Sequence, residues 1–376
     1  MKIVYLINSL GAGGAELHLL DLARDMVRRG HLVWVADFKK DIPGGARNLK
    51  PDFEAAGINV VHLKSAGLSE IGLWSSLVLL LKKVHPDVLH SHLPRSDVAA
   101  SWAKWFCPDV MWISTIHDGY TKTTYSGHWV VPIFRWTWRR ADHFIAVSNR
   151  AREWGRHSLG LPTDKVTVIY HGISLRELPD VSPKPAGPPF FIGCLARFEK
   201  RKGLETLVKA MPEVSKVFPD AQLLLAGSDP KGYANTLRDL AKALAVERNV
   251  RIQGFCQTPL EFLRDLDIFV FASTAEGFGI VLLEAMAMRR PVVASNIYPI
   301  NHIIQDGASG VLVDPDNPQA FAEAIIRLLR DPARRSELGE AAHQRVMNEF
   351  SLMKTLDSTY ALYLDMLRRR PPICVA

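Results

Sequence analysis

The run Asp267-Ile268-Phe269-Val270-Phe271-Ala272 is followed almost at once by Ala275-Glu276-Gly277-Phe278-Gly279-Ile280-Val281-Leu282-Leu283-Glu284-Ala285-Met286-Ala287. The first run is short and apolar, the pattern of a parallel strand buried on both faces. The second opens on two glycines and passes into helix formers and apolar residues up to Met288, before Arg289-Arg290-Pro291. The order is therefore strand, glycine-bearing turn, helix. In an open α/β sheet such a turn lies at the carboxyl ends of the strands, where ligands bind. Gly277 and Gly279 permit close backbone approach, and the helix that starts at Ile280 presents free N–H groups to an anion. Glu276 lies in the turn and Glu284 in the second helical turn. One carboxylate beside an anion site and another a turn further in suit a ligand that carries both phosphate and hydroxyls, which suggests a nucleotide sugar.

With the intervening Gly-Phe-Gly and the strand before it, this stretch resembles the E-x₇-E signature of the retaining glycosyltransferases of family 4. The resemblance implies a GT-B fold: an α/β protein of two Rossmann-like domains facing a central cleft. It further implies that Glu276 contacts the hydroxyls of the donor sugar and Glu284 the ribose, with Gly277, Phe278, Gly279 and Ile280 completing the substrate-binding turn. The ordinary alternative is a buried helix whose two acids cap its start and point to solvent.

Length and composition frame this reading. A chain of 376 residues is too long for one ordinary core, so two domains are expected. With 48% hydrophobic and 23% charged residues it is a globular chain and not a disordered one. Cys107, Cys194, Cys256 and Cys374 are scattered without a Cys-x-x-Cys, which suits neither a disulfide framework nor a zinc site and points to a reducing compartment. The amino terminus runs straight into a glycine turn without a signal-like apolar region, and the most apolar helical window, Ile71 to Leu81, falls short of a spanning length. A cytoplasmic protein is expected. The formal charge of +7 and a pI near 9.2 favour anionic partners, whether nucleotides, phosphates, anionic lipid or nucleic acid, and charge alone does not choose among them.

From the amino terminus, Ile3 to Ile7 reads as a strand, Ser9-Leu10-Gly11-Ala12-Gly13-Gly14-Ala15-Glu16 as a turn into a helix, and Leu32 to Ala36 as a second strand. This opening invites a dinucleotide-binding reading, with Asp37 about 20 residues on as the ribose acid. The fingerprint fails at its third glycine, where Glu16 stands. The loop is closer to the glycine-rich loop of family 4, which implies that Gly14 faces the donor phosphates across the cleft. Val60 to Leu63 is a third strand, Leu73 to Val84 a helix, and a fourth strand carries His90 and His92. Those two histidines could bind a metal, but no third ligand stands near, and a buried structural role is the better reading. Trp112 to Asp118 is a strand ending in Thr115-Ile116-His117-Asp118, similar to the family segment whose histidine lies under the donor sugar. A satisfied histidine at a strand end is the alternative for His117. A helix rich in Trp and Arg spans His128 to Arg140, and Val166 to Ile173 closes the first domain, its His171-Gly172-Ile173 similar to the family segment near the hinge.

Composition then changes sharply. Pro179 to Pro189 holds too many prolines for helix or central strand and reads as a stiff linker. The expected layout is an amino-terminal acceptor-side domain over 1–178, a linker over 179–189 and a nucleotide-sugar-binding domain over 190–351. A final helix within 352–376 is expected to cross back to the first domain, as in GT-B proteins.

A nucleotide sugar breaks its bond to a diphosphate, so cations and N–H dipoles must meet the charge that builds there. Arg197 ends the strand Phe190-Leu195, and Lys202 opens the next helix. A guanidinium and an ammonium at that separation can converge on one diphosphate. Ala196-Arg197-Phe198 followed by Lys202-Gly203 resembles the family motif, with Ala196 in place of its glycine. Lys200 and Arg201 read as a solvated basic turn. The resemblance also implies that backbone near Gly227 and Phe255 holds the base. Two Asp-x-Asp pairs, Asp265-Leu266-Asp267 and Asp314-Pro315-Asp316, read as structural, and no metal is expected.

These observations together imply a retaining, metal-independent hexosyltransferase with a UDP- or GDP-linked sugar donor, no other cofactor, and a glycan or lipid-linked acceptor. The resemblance implies that the acceptor attacks on the face the diphosphate leaves from, that the leaving phosphate takes its proton, and that Glu276 and His117 serve the reacting sugar. The rivals are a GT-B epimerase or nucleotide-sugar-binding protein, and an NAD-dependent oxidoreductase that would leave Arg197, Lys202, Glu276 and Glu284 unexplained. Trp129, Phe134, Trp136 and Trp138 among Arg135, Arg139 and Arg140, with Trp102 and Trp105 beside Lys104, suit a lipid headgroup boundary. Peripheral contact with the inner face of a membrane is expected, although Trp136 and Trp138 cannot share one helix face. A nucleic-acid partner is not expected.

Overall fold

The computed structural model describes residues 1–38, 47–63, 70–117, 136–174, 187–229 and 231–369. The expectations for Asp118, for Trp129, Phe134 and Arg135 in the Trp/Arg-rich helix, for most of the proline-rich linker and for Cys374 lie outside these residues. The chain forms two compact units, Met1–His171 together with Lys354–Ala376, and Gly172–Met353.

The first unit is built on seven strands: β1 (Lys2–Ile7), β2 (Leu32–Asp37), β3 (Asn59–His62), β4 (Val88–His92), β5 (Met111–Ile116), β6 (His143–Ala146) and β7 (Val166–Val168). Their order is β3-β2-β1-β4-β5-β6-β7 and every pairing is parallel. Parallel strands need crossovers, and the amphipathic helices Gly14–Arg28, Glu70–Val84, Pro94–Phe106 and Asn149–Leu159 supply them. The order reverses between β1 and β4, which makes the loops after those strands the natural ligand crevice of this sheet.

The second unit repeats the plan with β8 (Phe191–Leu195), β9 (Gln222–Ala226), β10 (Val250–Ile252), β11 (Ile268–Phe271), β12 (Val292–Ser295) and β13 (Val311–Val313), ordered β10-β9-β8-β11-β12-β13 and all parallel. Its reversal falls between β8 and β11. All four residues of β11 are buried, and each contributes about 1.5–3 kcal/mol by leaving water. Asp267, of the first Asp-x-Asp pair, is spent on this sheet: its Oδ2 accepts from Phe191 N at 2.7 Å while its own N donates to Phe191 O at 2.8 Å. In the second pair, Asp316 adopts a left-handed φ of 56° just before Asn317, whose Oδ1 caps the helix Pro318–Arg330.

The last helix, Leu352–Arg368, leaves the second unit at its start and packs into the first. Thr355 Oγ1 donates to Tyr170 O at 2.8 Å, Arg29 pairs with Asp357, and buried Tyr363 meets His90 Nδ1. No helix among the described residues is long and apolar enough to cross a membrane.

Candidate active site

In the second unit three loops at the carboxyl ends of adjacent strands are tied together by backbone. Ala196 N donates to Ala226 O, Phe198 N to Ser228 O and Gly227 N to Gly254 O, at 3.0, 2.8 and 3.1 Å. Gly227 has φ 150°, and a Cβ there would lie 1.9 Å from Ala196 O, so only glycine lets these loops close up. Phe255 is half-buried on the loop after β10. Arg197 leaves β8 with its side chain 55% exposed and pairs through Nη1 with Glu199 Oε1 at 3.0 Å.

The turn after β11 meets the basic loop after β8 directly. Thr274 N and Oγ1 both donate to Arg201 O, at 2.8 and 3.2 Å, and Arg201 Nη1 donates to Ala275 O at 3.3 Å. Gly203, at φ 64°, sits so close to β11 that a Cβ would lie 2.0 Å from Ala272 O. Arg201 is therefore a staple between the two loops and not a solvated turn residue. Sequence reasoning missed it because nothing in a basic run says which side chain reaches a carbonyl far along the chain.

Glu276 is buried, and its Oε1 accepts from Lys202 Nζ and from Ser273 Oγ, the latter at 2.7 Å. The Lys202 ammonium also lies 5.8 Å from the centroid of the Phe271 ring. Arg197 and Lys202 thus each hold a carboxylate of their own. Glu284 projects from the helix Ile280–Ala287, whose N-cap Gly279 has φ 102° and no side-chain cap. Part of its surface remains accessible, yet desolvation pushes its carboxyl up to about 7. Neither acid is a solvent-facing helix cap. Phe278 is buried edge-on against Phe350, 6.1 Å between centroids, so its ring is packed in the interior of the second unit. Ile280 is the first helical residue and Gly277 is half-buried beside it.

In the first unit, Gly14 is the exposed first residue of the helix Gly14–Arg28, where N–H groups have no intrahelical partner. His117 follows β5, and its Nε2 shares a 3.0 Å hydrogen bond with His92 Nδ1. It belongs to a buried cluster. His90 and His92 rings lie 4.3 Å apart, His117 stacks on His171 at 5.5 Å, and His18 meets His171 edge-on at 4.2 Å. His90 Nε2 also bonds Thr115 Oγ1 at 2.6 Å. Burial keeps these rings neutral: His117 falls to about 3 and His18 to about 4, with His90, His92 and His171 well below the usual range. Neighbouring histidines push all but His18 further the same way. A cavity of about 10 Å³ among His18, His90, Thr115 and His171 has room for one water. Among the described residues no group of three or more His, Cys, Asp or Glu side chains, this cluster included, is arranged to hold a metal ion. Asp37, the ribose acid of the oxidoreductase reading, is buried with its Oδ1 engaged by His62 Nδ1 at 2.9 Å.

Of the aromatic and basic residues read as a membrane face, Trp138 is buried in the core, while Trp105 and Trp136 are 60% and 56% exposed. The Arg140 guanidinium lies over both rings, 3.5 and 4.7 Å from their centroids. Lys104 is turned inward to Asp142 at 2.9 Å.

Two parallel Rossmann-like sheets, each with its order reversal flanked by glycine loops, and an acid–lysine pair set at one reversal, define a GT-B glycosyltransferase. The family model for Glycosyltransferase Family 4 matches residues 12–177, and that for Glycosyl transferases group 1 matches residues 176–345. The chain is 30% identical over 354 residues to the phosphatidyl-myo-inositol mannosyltransferase of Mycobacterium tuberculosis, covering 89% of this chain and 88% of that one. It is 28% identical over 363 residues to a lipopolysaccharide core biosynthesis glycosyltransferase of Rhizobium meliloti, covering 96% and 97%. Among solved structures, Anabaena Alr3699/HepE in complex with UDP and glucose superposes with a TM-score of 0.84 at 22% identity, covering 97% of this chain and 99% of that one. The chain belongs to the family 4 retaining glycosyltransferases and transfers sugar from a nucleotide-sugar donor.

Proposed function

We propose that the chain is a metal-independent hexosyltransferase that uses a UDP- or GDP-linked sugar and delivers it to a glycan or lipid-linked acceptor. The observation that carries this reading is the buried Lys202–Glu276 pair at the glycine turn after β11. It holds an ionised acceptor for sugar hydroxyls beside an ammonium with donors left for phosphate. Arg197, open to solvent, supplies a second cation for the diphosphate, and the start of the helix at Ile280 supplies N–H dipoles. Glu284 takes the ribose, backbone at Gly227 and Phe255 the base, and Gly14 and His117 serve the phosphates and the sugar from the first unit. The nucleophile attacks the anomeric carbon on the face from which the diphosphate departs, and the departing phosphate oxygen takes the acceptor's proton. Glu276 orients the sugar and does not form a bond to it.

The names of the mycobacterial and rhizobial relatives support a lipid-linked or envelope acceptor, and the UDP and glucose held by the Anabaena protein support a UDP-sugar donor. Exposed Trp105 and Trp136 around Arg140 support peripheral contact of the first unit with an anionic membrane, at its cytoplasmic face. A thermal-shift panel of UDP-, GDP- and ADP-sugars tests the donor, because a ligand bound only by the native state raises its melting temperature. A rise with UDP- or GDP-sugars is expected; no rise with any of them refutes the donor reading.

A further inference from the structure

We propose that Ser273 is a positioning residue of the transfer reaction: together with Lys202 it occupies Oε1 of Glu276, so that Oε2 is held as the single acceptor for a hydroxyl of the donor sugar. The inference rests on the reading of Glu276 given above and deepens it. Ser273 lies one residue past Ala272, is fully buried, and gives its hydroxyl proton to Oε1 at 2.7 Å. Lys202 Nζ donates to the same oxygen, and the side chains of this pair are only 12% and 7% exposed. Oε2 accepts from no described residue. A hydroxyl has one proton to give and an ionised carboxylate only accepts, so the direction of both bonds is fixed. Two donors on one oxygen lock the carboxylate plane, because rotating the carboxylate away from this orientation would break both charge-assisted bonds at once.

The geometry of the turn itself does not depend on Ser273. Its backbone is held by Thr274 N and Oγ1 on Arg201 O, by Arg201 on Ala275 O, and by the close approach of Gly203 to Ala272. Among the described residues Glu276 is the one hydrogen-bond partner of the Ser273 hydroxyl. Removing it therefore leaves the carboxylate held by Lys202 alone, with more freedom to rotate, while the loop stays in place.

The test is a double-mutant cycle in the full-length chain, reading UDP release from UDP-glucose and GDP release from GDP-mannose. Ser273→Ala is expected to lower kcat about 10-fold, the scale of one hydrogen bond to a charged group, with KM and the affinity for free UDP or GDP within about 3-fold of the parent. In a Glu276→Gln background, itself impaired, Ser273→Ala is expected to cost less than about 2-fold, since its effect runs through that carboxylate. Ser273→Cys, a weaker donor of similar size, is expected to fall between the parent and Ser273→Ala. The proposal is overturned if Ser273→Ala keeps the parent's kcat, or if its penalty is undiminished in the Glu276→Gln background. Full activity of Glu276→Gln alone is a separate result that removes the underlying reading of Glu276 and this proposal with it.

Discussion

Acidification should destabilise the first unit, and the size of the effect follows from its buried histidines. His18, His90, His92, His117 and His171 remain neutral in the native state because burial depresses each of them. In the unfolded chain each titrates near 6.5. As pH falls below that value the unfolded state binds protons the native state does not, so stability is fully present above 6.5 and drains away toward the folded values, about 4 for His18 and about 3 for His117. Between pH 7.5 and 5.5 His18 and His117 each cost about 1.4 kcal/mol, about 3 kcal/mol together, and His90, His92 and His171 act in the same direction. Asp97 and Asp37 oppose them: burial raises both carboxyls, that of Asp97 to about 7, so the native state takes up a proton there over the same window and regains about 2 kcal/mol from Asp97. His18 and His117 alone leave a net loss of about 1 kcal/mol, and the other three histidines enlarge it, against a typical stability of about 5–15 kcal/mol. All nine tryptophans fall between Trp34 and Trp154, inside the first unit, so their fluorescence reports its unfolding alone. Guanidinium titrations followed by tryptophan emission should show a lower midpoint at pH 5.5 than at 7.5. The second unit should not follow, because Glu284, raised to about 7, gains stability over the same interval. An unchanged or higher tryptophan midpoint at pH 5.5 would refute the reasoning.

Arg197→Ala and Lys202→Ala should each lower turnover by roughly 100-fold or more, the scale for losing a transition-state charge partner; two folded variants within a few-fold of the parent would remove the diphosphate assignment. Gly203→Ala should lose more than about 2 kcal/mol in a denaturant melt, since it adds left-handed strain to a 2.0 Å clash with Ala272 O; a parent-like melt contradicts that contact. Transferase rates should survive EDTA if, as proposed, side-chain and N–H charge meets the leaving group; loss on chelation with recovery on manganese would count against it. Vesicles rich in anionic lipid should co-sediment the protein at low salt and release it at high salt, while neutral vesicles leave it in solution; absence from both pellets points to an acceptor away from the membrane.

Periodicity made the sheets legible. Apolar runs such as Ile268–Phe271 and the strand–glycine–helix order locate β11 and its turn without reference to anything distant, because strand burial on both faces leaves its mark locally. The placement of Glu276 in the turn and Glu284 in the helix after it is legible for the same reason: their spacing is a local property. What escaped was everything that depends on contact between loops. No spacing tells that Lys202 would meet Glu276, that Arg201 would bind Ala275 O, or that Ser273 would aim at Oε1, since those contacts are set by which strands lie side by side. Likewise His90 and His92 could be judged buried from alternation, but the five-histidine cluster assembles residues from distant parts of the chain. Trp136 and Trp138 were rightly kept apart by helix geometry, and the structure shows which one is outside.

The return of the last helix to the first unit also governs when that unit can be finished in a cell. His171 is made early, yet Thr355, Asp357 and Tyr363, which bond Tyr170, Arg29 and His90, arrive only after the whole second unit has been synthesised. At about 5–20 residues per second that interval is roughly 10–40 s. For that time the histidine cluster and Tyr5 lack their cover, while the second unit, contiguous in the chain, has everything it needs to fold as it emerges. The unit begun first is therefore the one completed last, and it is the one exposed to chaperones and proteases during translation.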